Sequence, residues 1–182
     1  MTETFDDIPE RHNMQTVAFY NVENLFDLRD GKFTNDGDFL PESVKRWTSK
    51  RYKNKLRKIG FAISNIGRQE TGKHPAIVGL AEIENAKVLK NLLESKHLET
   101  CNYDYVHFDS LDERGIDVAL LYDTTVFEPL YTETFSVILT DENDIPDYTR
   151  DILLVGGNLD GEKVYFIINH WSSRREGVKE TE

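Results

Sequence analysis

Ala76-Ile-Val-Gly-Leu-Ala81 runs straight into Glu82-Ile-Glu-Asn85, and this junction decides the fold class. A short apolar run without alternation is what a strand covered on both faces requires, and it ends on a carboxylate. Upstream, Ser49 can cap a helix whose apolar residues Tyr52, Leu56, Ile59, Ile63 and Ile66 recur in steps of four and three, one stripe for one core. Downstream, Asn85 to Leu98 reads as a second helix with Val88, Leu89, Leu92 and Leu93 inward. Earlier in the chain, Thr16-Val-Ala-Phe-Tyr-Asn-Val22 is again apolar on both faces and reads as the first strand, followed by a Gly/Asp/Asn-rich loop from Asp27 to Pro41. From Tyr103 onward strands dominate: Tyr105 to Phe108, Asp117 to Tyr122, Val126 to Ile138, Ile152 to Gly156, and Val164 to His170. Asp160-Gly161 predicts a tight hairpin between the last two. Two strand–helix units followed by consecutive strands predict an α/β protein: a mixed sheet with helices on one face, one layer of a sandwich. Residues 1–14 read as a loose polar leader and residues 15–182 as one unit without repeat, linker or low-complexity tract.

Bulk composition narrows the function classes. With 22 Lys and Arg against 33 Asp and Glu, the net charge is −11, which argues against a general DNA-coating role. It does not exclude a nuclease, because a divalent cation held by carboxylates supplies local positive charge to a phosphodiester. The single cysteine, Cys101, permits neither an internal disulfide nor a cysteine-based zinc site. No apolar run approaches a membrane span and the start carries no export signal, so a cytoplasmic protein without a membrane partner is expected. Eight basic residues fall among the fourteen from Lys45 to Lys58. On the face opposite the apolar stripe these would simply be solvated, with nucleic-acid contact as the competing reading.

Several familiar motifs are absent. Gly67-Arg-Gln-Glu-Thr-Gly-Lys73 has phosphate-loop spacing, but His74 stands where Ser or Thr should hold magnesium and a helix precedes it, so it reads as a helix-ending loop. There is no dinucleotide-binding glycine fingerprint, no His-Glu-x-x-His and no Gly-x-Ser-x-Gly. What remains is a set of polar residues at the ends of apolar strands: Asn21 after the first, Glu82 after the second, Asn169 and His170 after the last. Open α/β sheets place binding groups there, and an amide, a carboxylate and an imidazole converging at one edge would suit a hard metal plus a phosphate. Read from the residues alone, Glu82 is more readily a strand-end carboxylate paired with an Arg or Lys, and His170 can equally be a half-buried histidine satisfied by backbone.

Phe19-Tyr-Asn-Val-Glu-Asn-Leu-Phe-Asp27, Gly79-Leu-Ala-Glu-Ile-Glu-Asn85, Asp112-Glu-Arg-Gly-Ile-Asp-Val-Ala-Leu-Leu-Tyr122, Thr149-Arg-Asp-Ile-Leu153 and Ile168-Asn-His-Trp-Ser-Ser-Arg-Arg175 appear in one consistent order. Together they resemble the endonuclease/exonuclease/phosphatase family, most closely its bacterial deoxyribonuclease-I-like branch, from about Thr16 to Arg175. The resemblance implies a four-layered α/β sandwich of the deoxyribonuclease-I-like type, of which this chain would supply mainly the first sheet with its helices. It also implies metal-dependent hydrolysis of phosphodiesters, with nucleic acid as first substrate and Mg2+ as cofactor, Mn2+ or Ca2+ being alternatives. By resemblance, Glu82 and Asn21 serve the metal and His170 contacts the scissile phosphate as the catalytic residue. Asn169, Arg114 and Arg150 fall near the substrate.

The family continues with Gly-Asp-x-Asn and Ser-Asp-His motifs that orient and deprotonate the attacking water, and neither occurs here. Asp141-Glu-Asn143 has the first spacing but precedes His170, and reads as a surface loop. The chain is therefore expected to be the N-terminal part of one domain, inactive alone and prone to self-association through an uncovered sheet face. A phosphomonoesterase acting on a sugar or lipid phosphate, and a catalytically silent interaction module, are the competing functions.

Overall fold

In a computed structural model that describes residues 14–29, 37–140 and 145–171, the strand after Pro75 is β2 (Ile77–Ile83) and it lies inside a four-stranded sheet of order β1-β2-β4-β3. β1 (Val17–Leu25) runs parallel to β2, whereas β4 (Asp117–Asp123) is antiparallel to both β2 and β3 (Tyr103–His107). One face is covered by helices α1 (Ser49–Asn65) and α3 (Ala86–Leu93), as the sequence predicted. Tyr52, Leu56, Ile59 and Ile63 of α1, with Val88, Leu89 and Leu92 of α3, meet Val78, Leu80, Ala119 and Leu121 of the sheet. Each buried Val, Leu or Ile side chain among them contributes about 1.5–3 kcal/mol against leaving it in water. The helix cap is Thr48, whose Oγ1 accepts from Arg51 N at 3.4 Å, so Ser49 is the first helical residue rather than the cap. The apolar stripe stops at Ile63, because Ile66 is already the C-cap, and α3 ends at Leu93, short of Leu98. After left-handed Gly67, a short helix α2 (Arg68–Thr71) fills part of the stretch expected to be plain loop.

The second face of the sheet is not bare, contrary to the expectation from sequence. β5 (Phe127–Phe135), β8 (Ile152–Leu159) and β9 (Glu162–Ile168) form a separate sheet of order β5-β8-β9 that lies against it. Phe127, Leu153, Val155 and Ile168 pack on Ile77, Ala81, Val118 and Leu120. The chain thus supplies three layers, helices and two sheets. The alternation along these strands specifies one buried face each but not which sheet receives it, which is why sequence placed them all in the first layer. Gly79 permits the close approach: a Cβ there would meet Phe19 at 3.0 Å and Ile168 at 3.5 Å. The hairpin at Asp160-Gly161 is present, with both residues at positive φ (49° and 89°), as a two-residue turn between antiparallel strands prefers. The long strand expected from Val126 to Ile138 is broken after Phe135; β6 (Ile138–Thr140) pairs instead with β7 (Pro146–Tyr148).

Exposed apolar surface lies on the outer side of the second sheet, where Tyr131, Tyr165 and Ile167 are 48%, 56% and 66% exposed. No helix among the described residues is long and apolar enough to cross a membrane. Residues 1–13 of the expected leader, the Asp141-Glu-Asn143 loop and the Ser172 to Arg175 end of the last motif lie outside the described residues.

Candidate active site

Both β1 and β2 lose their regular register near the same end of the sheet: the pairing shifts between Asn21 and Leu25 on one strand and between Ala81 and Ile83 on the other. Glu23, Asn24 and Glu82 carry the distortion at φ of 57°, 61° and 66°. Non-glycine residues hold that conformation only where their surroundings enforce it, at about 1–3 kcal/mol each. Here the enforcement is visible. Lys55 of α1 donates to the carbonyls of Glu23 and Asn24, the latter at 3.3 Å, and Asn21 Oδ1 accepts from Glu23 N at 2.8 Å. Bulges of this kind re-aim side chains.

The re-aimed side chain is Glu82. Its Oε1 accepts from Asn21 Nδ2 at 3.2 Å and lies 3.5 Å from His170 Nε2. Glu82 and His170 side chains are only 12% and 19% exposed. His170 follows the end of β9, so the second sheet brings the imidazole to the carboxylate at the mouth between the layers. Asn169 is half-buried beside it. Burial lowers the His170 pKa below its ordinary 6.5, helped by the Arg150 charge and opposed by Glu82. The ring is therefore neutral at pH 7. Its Nδ1 is buried without a hydrogen-bond partner among the described residues, so hydrogen-bonding capacity is left unused next to a carboxylate. A carboxylate and an amide oxygen are hard donors, and Asn21 Oδ1 retains a second lone pair beyond the one Glu23 N occupies. Glu82 and Asn21 fit a divalent cation such as Mg2+ or Mn2+.

The two arginines named from the motifs turn inward in different ways. Arg150 is buried; its Nη1 pairs with Asp112 Oδ2 at 2.8 Å and its Nε donates to the His170 carbonyl at 2.7 Å. Arg114 donates from Nη2 to Asn24 Oδ1 at 2.7 Å, and its amide donates to Asp112 Oδ1 at 2.9 Å. Asp112 thereby joins the backbone under His170 to the distorted end of β1. In the sequence, Asp112 and Asn24 stand inside the quoted motifs and Lys55 inside the basic run, none of them singled out there. Their partners lie 38, 90 and 31 residues away, so no local pattern could have pointed to them. The basic run on α1 is partly structural: Arg51 donates to the Lys45 and Arg46 carbonyls and Lys45 pairs with Asp38 at 3.3 Å. An open groove of about 430 Å³ nevertheless runs beside β1, lined by Asn21, Arg51, Lys55 and Lys58 among others.

Residues 16–182 match the Endonuclease/Exonuclease/phosphatase family. No curated protein is significantly similar in sequence. Among solved structures, the chain is similar to D. rerio TDP2 humanized by 14 mutations, with 15% identity, a TM-score of 0.49, and 89% of this chain and 49% of that one covered. It is similar to the mannosyl-6-phosphatase of Bacteroides thetaiotaomicron VPI-5482, with 19% identity, a TM-score of 0.43, and coverage of 85% and 50%. TDP2 from Caenorhabditis elegans follows with 16% identity, a TM-score of 0.44, and coverage of 71% and 33%. The chain spans half or less of the length of these structures.

Proposed function

The chain belongs to the endonuclease/exonuclease/phosphatase family, and from that premise we propose that its protein hydrolyses phosphodiesters with a divalent metal, nucleic acid being the substrate. The observation that carries this reading is the convergence of Glu82, Asn21 and His170 at the mouth between the sheets. Glu82 and Asn21 would hold the cation, which when bound polarises a phosphoryl oxygen and stabilises negative charge on it. Neutral His170 offers a ring N–H to a phosphoryl oxygen, a contact that strengthens as charge develops there. Asn169 stands next to it for a further phosphate contact. Arg150 and Arg114 act as positioning residues: one holds the His170 backbone, the other the distorted end of β1. The groups that orient and deprotonate water would come from motifs not present among these 182 residues.

Nucleic acid is supported by the resemblance to the deoxyribonuclease-I-like branch and by the groove whose basic side chains lie beside Asn21. The net charge of −11 favours a second reading, a phosphomonoesterase on a small sugar or lipid phosphate. The protein expressed from its whole gene, assayed with Mg2+ and with a chelator, separates them. Metal-dependent plasmid nicking supports the first reading; phosphate release from a sugar phosphate without nicking supports the second. Neither activity would leave a silent binding module. Reversing Arg51 and Lys58, which line the groove, to Glu should weaken the salt dependence of DNA binding if the groove is a contact surface, and leave it unaltered if it is not.

A further inference from the structure

A second histidine–carboxylate cluster lies at the same end of the first sheet but on its helix-facing side. His107 ends β3 and pairs across the ladder with Ala119, whereas Asp117 begins β4. The face they share is that of Ala119 and Leu121, which pack under the helices. The His107 side chain is 2% exposed, and its Nε2 is buried with no hydrogen-bond partner among the described residues. Asp117 Oδ2 stands 3.6 Å from it, beyond hydrogen-bond reach. Asp109 Oδ1 is 3.9 Å from the other ring nitrogen, and one ligand atom from each of the three residues lies within 4.8 Å of the others.

We propose that His107, Asp109 and Asp117 bind a divalent transition-metal ion of the Zn2+ type, outside the Glu82 site. With metal–ligand bonds of about 2.0–2.2 Å in a tetrahedral arrangement, neighbouring ligand atoms stand about 3.3–3.6 Å apart, the separation of His107 Nε2 from Asp117 Oδ2; Asp109, which is 81% exposed and lies nearer the other ring nitrogen, would reach the same ion by rotating its side chain. A neutral imidazole with two carboxylates balances a dication and favours Zn2+ or Mn2+ over Ca2+. Asp117 is already oriented for this. Its Oδ1 accepts from Ser110 N at 3.2 Å and from Ser110 Oγ, which leaves Oδ2 directed at the imidazole. The ion would clamp residues 108–116, the connection that carries Asp112 and Arg114 beneath the candidate active site.

Zn2+ titration of the metal-stripped 182-residue chain tests the site, with Co2+ absorption reporting the ligand field. In a Glu82→Gln background, where the other site is weakened, one equivalent of Zn2+ is expected to bind and to raise the melting temperature. Asp109 is 81% exposed, so Asp109→Asn removes a ligand without disturbing packing and should weaken Zn2+ binding on the order of 10-fold or more. His107→Gln should do the same and abolish the visible Co2+ bands. Zn2+ binding by Asp109→Asn as tight as in its parent would overturn the proposal, as would a Glu82→Gln chain that binds no Zn2+. Loss of binding only on changing Glu82 would assign any bound ion to the active site and equally defeat it.

Discussion

Each end of the first sheet carries a histidine facing a carboxylate, and the two pairs are built to opposite specifications. At the end away from the bulges, His74 Nε2 lies 2.8 Å from Asp123 Oδ2, while Asp123 Oδ1 accepts from the Thr125 amide and hydroxyl at 2.9 and 2.7 Å. The Tyr103 ring stands edge-on to His74 at 5.0 Å. Burial tends to raise the Asp123 pKa, but the Thr125 bonds and His74 outweigh it and hold the carboxyl below its usual range. At the bulged end, His170 and Glu82 stand 3.5 Å apart, one imidazole nitrogen is buried unpaired, and the carboxylate sits on a backbone at φ 66°. A saturated pair stabilises the fold; the other keeps hydrogen-bonding capacity in a strained frame, which is what the role proposed for Glu82 and His170 calls for. Beneath the loose pair lies another saturated one, Arg150 with Asp112.

Mutations at the two kinds of pair should separate stability from activity, and the largest effect belongs to the saturated pair under the mouth. Arg150→Met leaves Asp112 buried and uncompensated and is expected to cost about 3–5 kcal/mol in denaturant unfolding. If stability hardly changes, the support attributed to this pair is wrong. Glu82→Gln should leave the melting temperature near wild type while reducing metal-dependent turnover of the whole-gene protein on the order of 10²-fold or more. Near wild-type turnover at low Mg2+ would remove Glu82 from the metal site. His170→Ala is expected to lower kcat on the order of 10²-fold with a smaller change in KM, because its contact is strongest in the transition state. A raised KM at constant kcat would reduce His170 to a ground-state binder.

At the other end the signs exchange. Asp123→Asn should cost about 1–3 kcal/mol of stability, by thermal or denaturant unfolding, and leave turnover unchanged, as expected for a charged hydrogen-bond acceptor that serves the fold alone. Lost turnover would break the contrast. The smallest effect is in pH dependence. The folded-state pKa of His170 lies below its ordinary 6.5, so the unfolded chain binds more protons in that window. The histidine's contribution is intact above about pH 6.5 and fades as pH falls toward the depressed folded value. His170→Gln should flatten the stability profile there, and an unaltered profile would show that the ring titrates normally.

Much of this molecule was legible in advance, for local reasons. The stripe of α1 is written in steps of three and four, β2 in an unbroken apolar run, and the last hairpin in Asp160-Gly161, all of which act over a few residues. Glu82, Asn21 and His170 could be singled out because strand ends are readable and the motifs around them stand in order; the structure brings them together. The inward turn of Arg150 was not legible, because a motif reports a residue's presence and not the direction of its side chain.

The sequence by itself determined most of the strands, helices α1 and α3, the core of the mixed first sheet and the family. Tertiary structure alone decided that β5, β8 and β9 leave the first sheet to cover its second face, and that Asp112, Asn24 and Lys55 brace the mouth. The physical reason is range: periodicity and capping are settled by neighbours in the chain, whereas the choice of sheet and the partners of a buried charge depend on what packing brings within a few ångströms, across tens of residues.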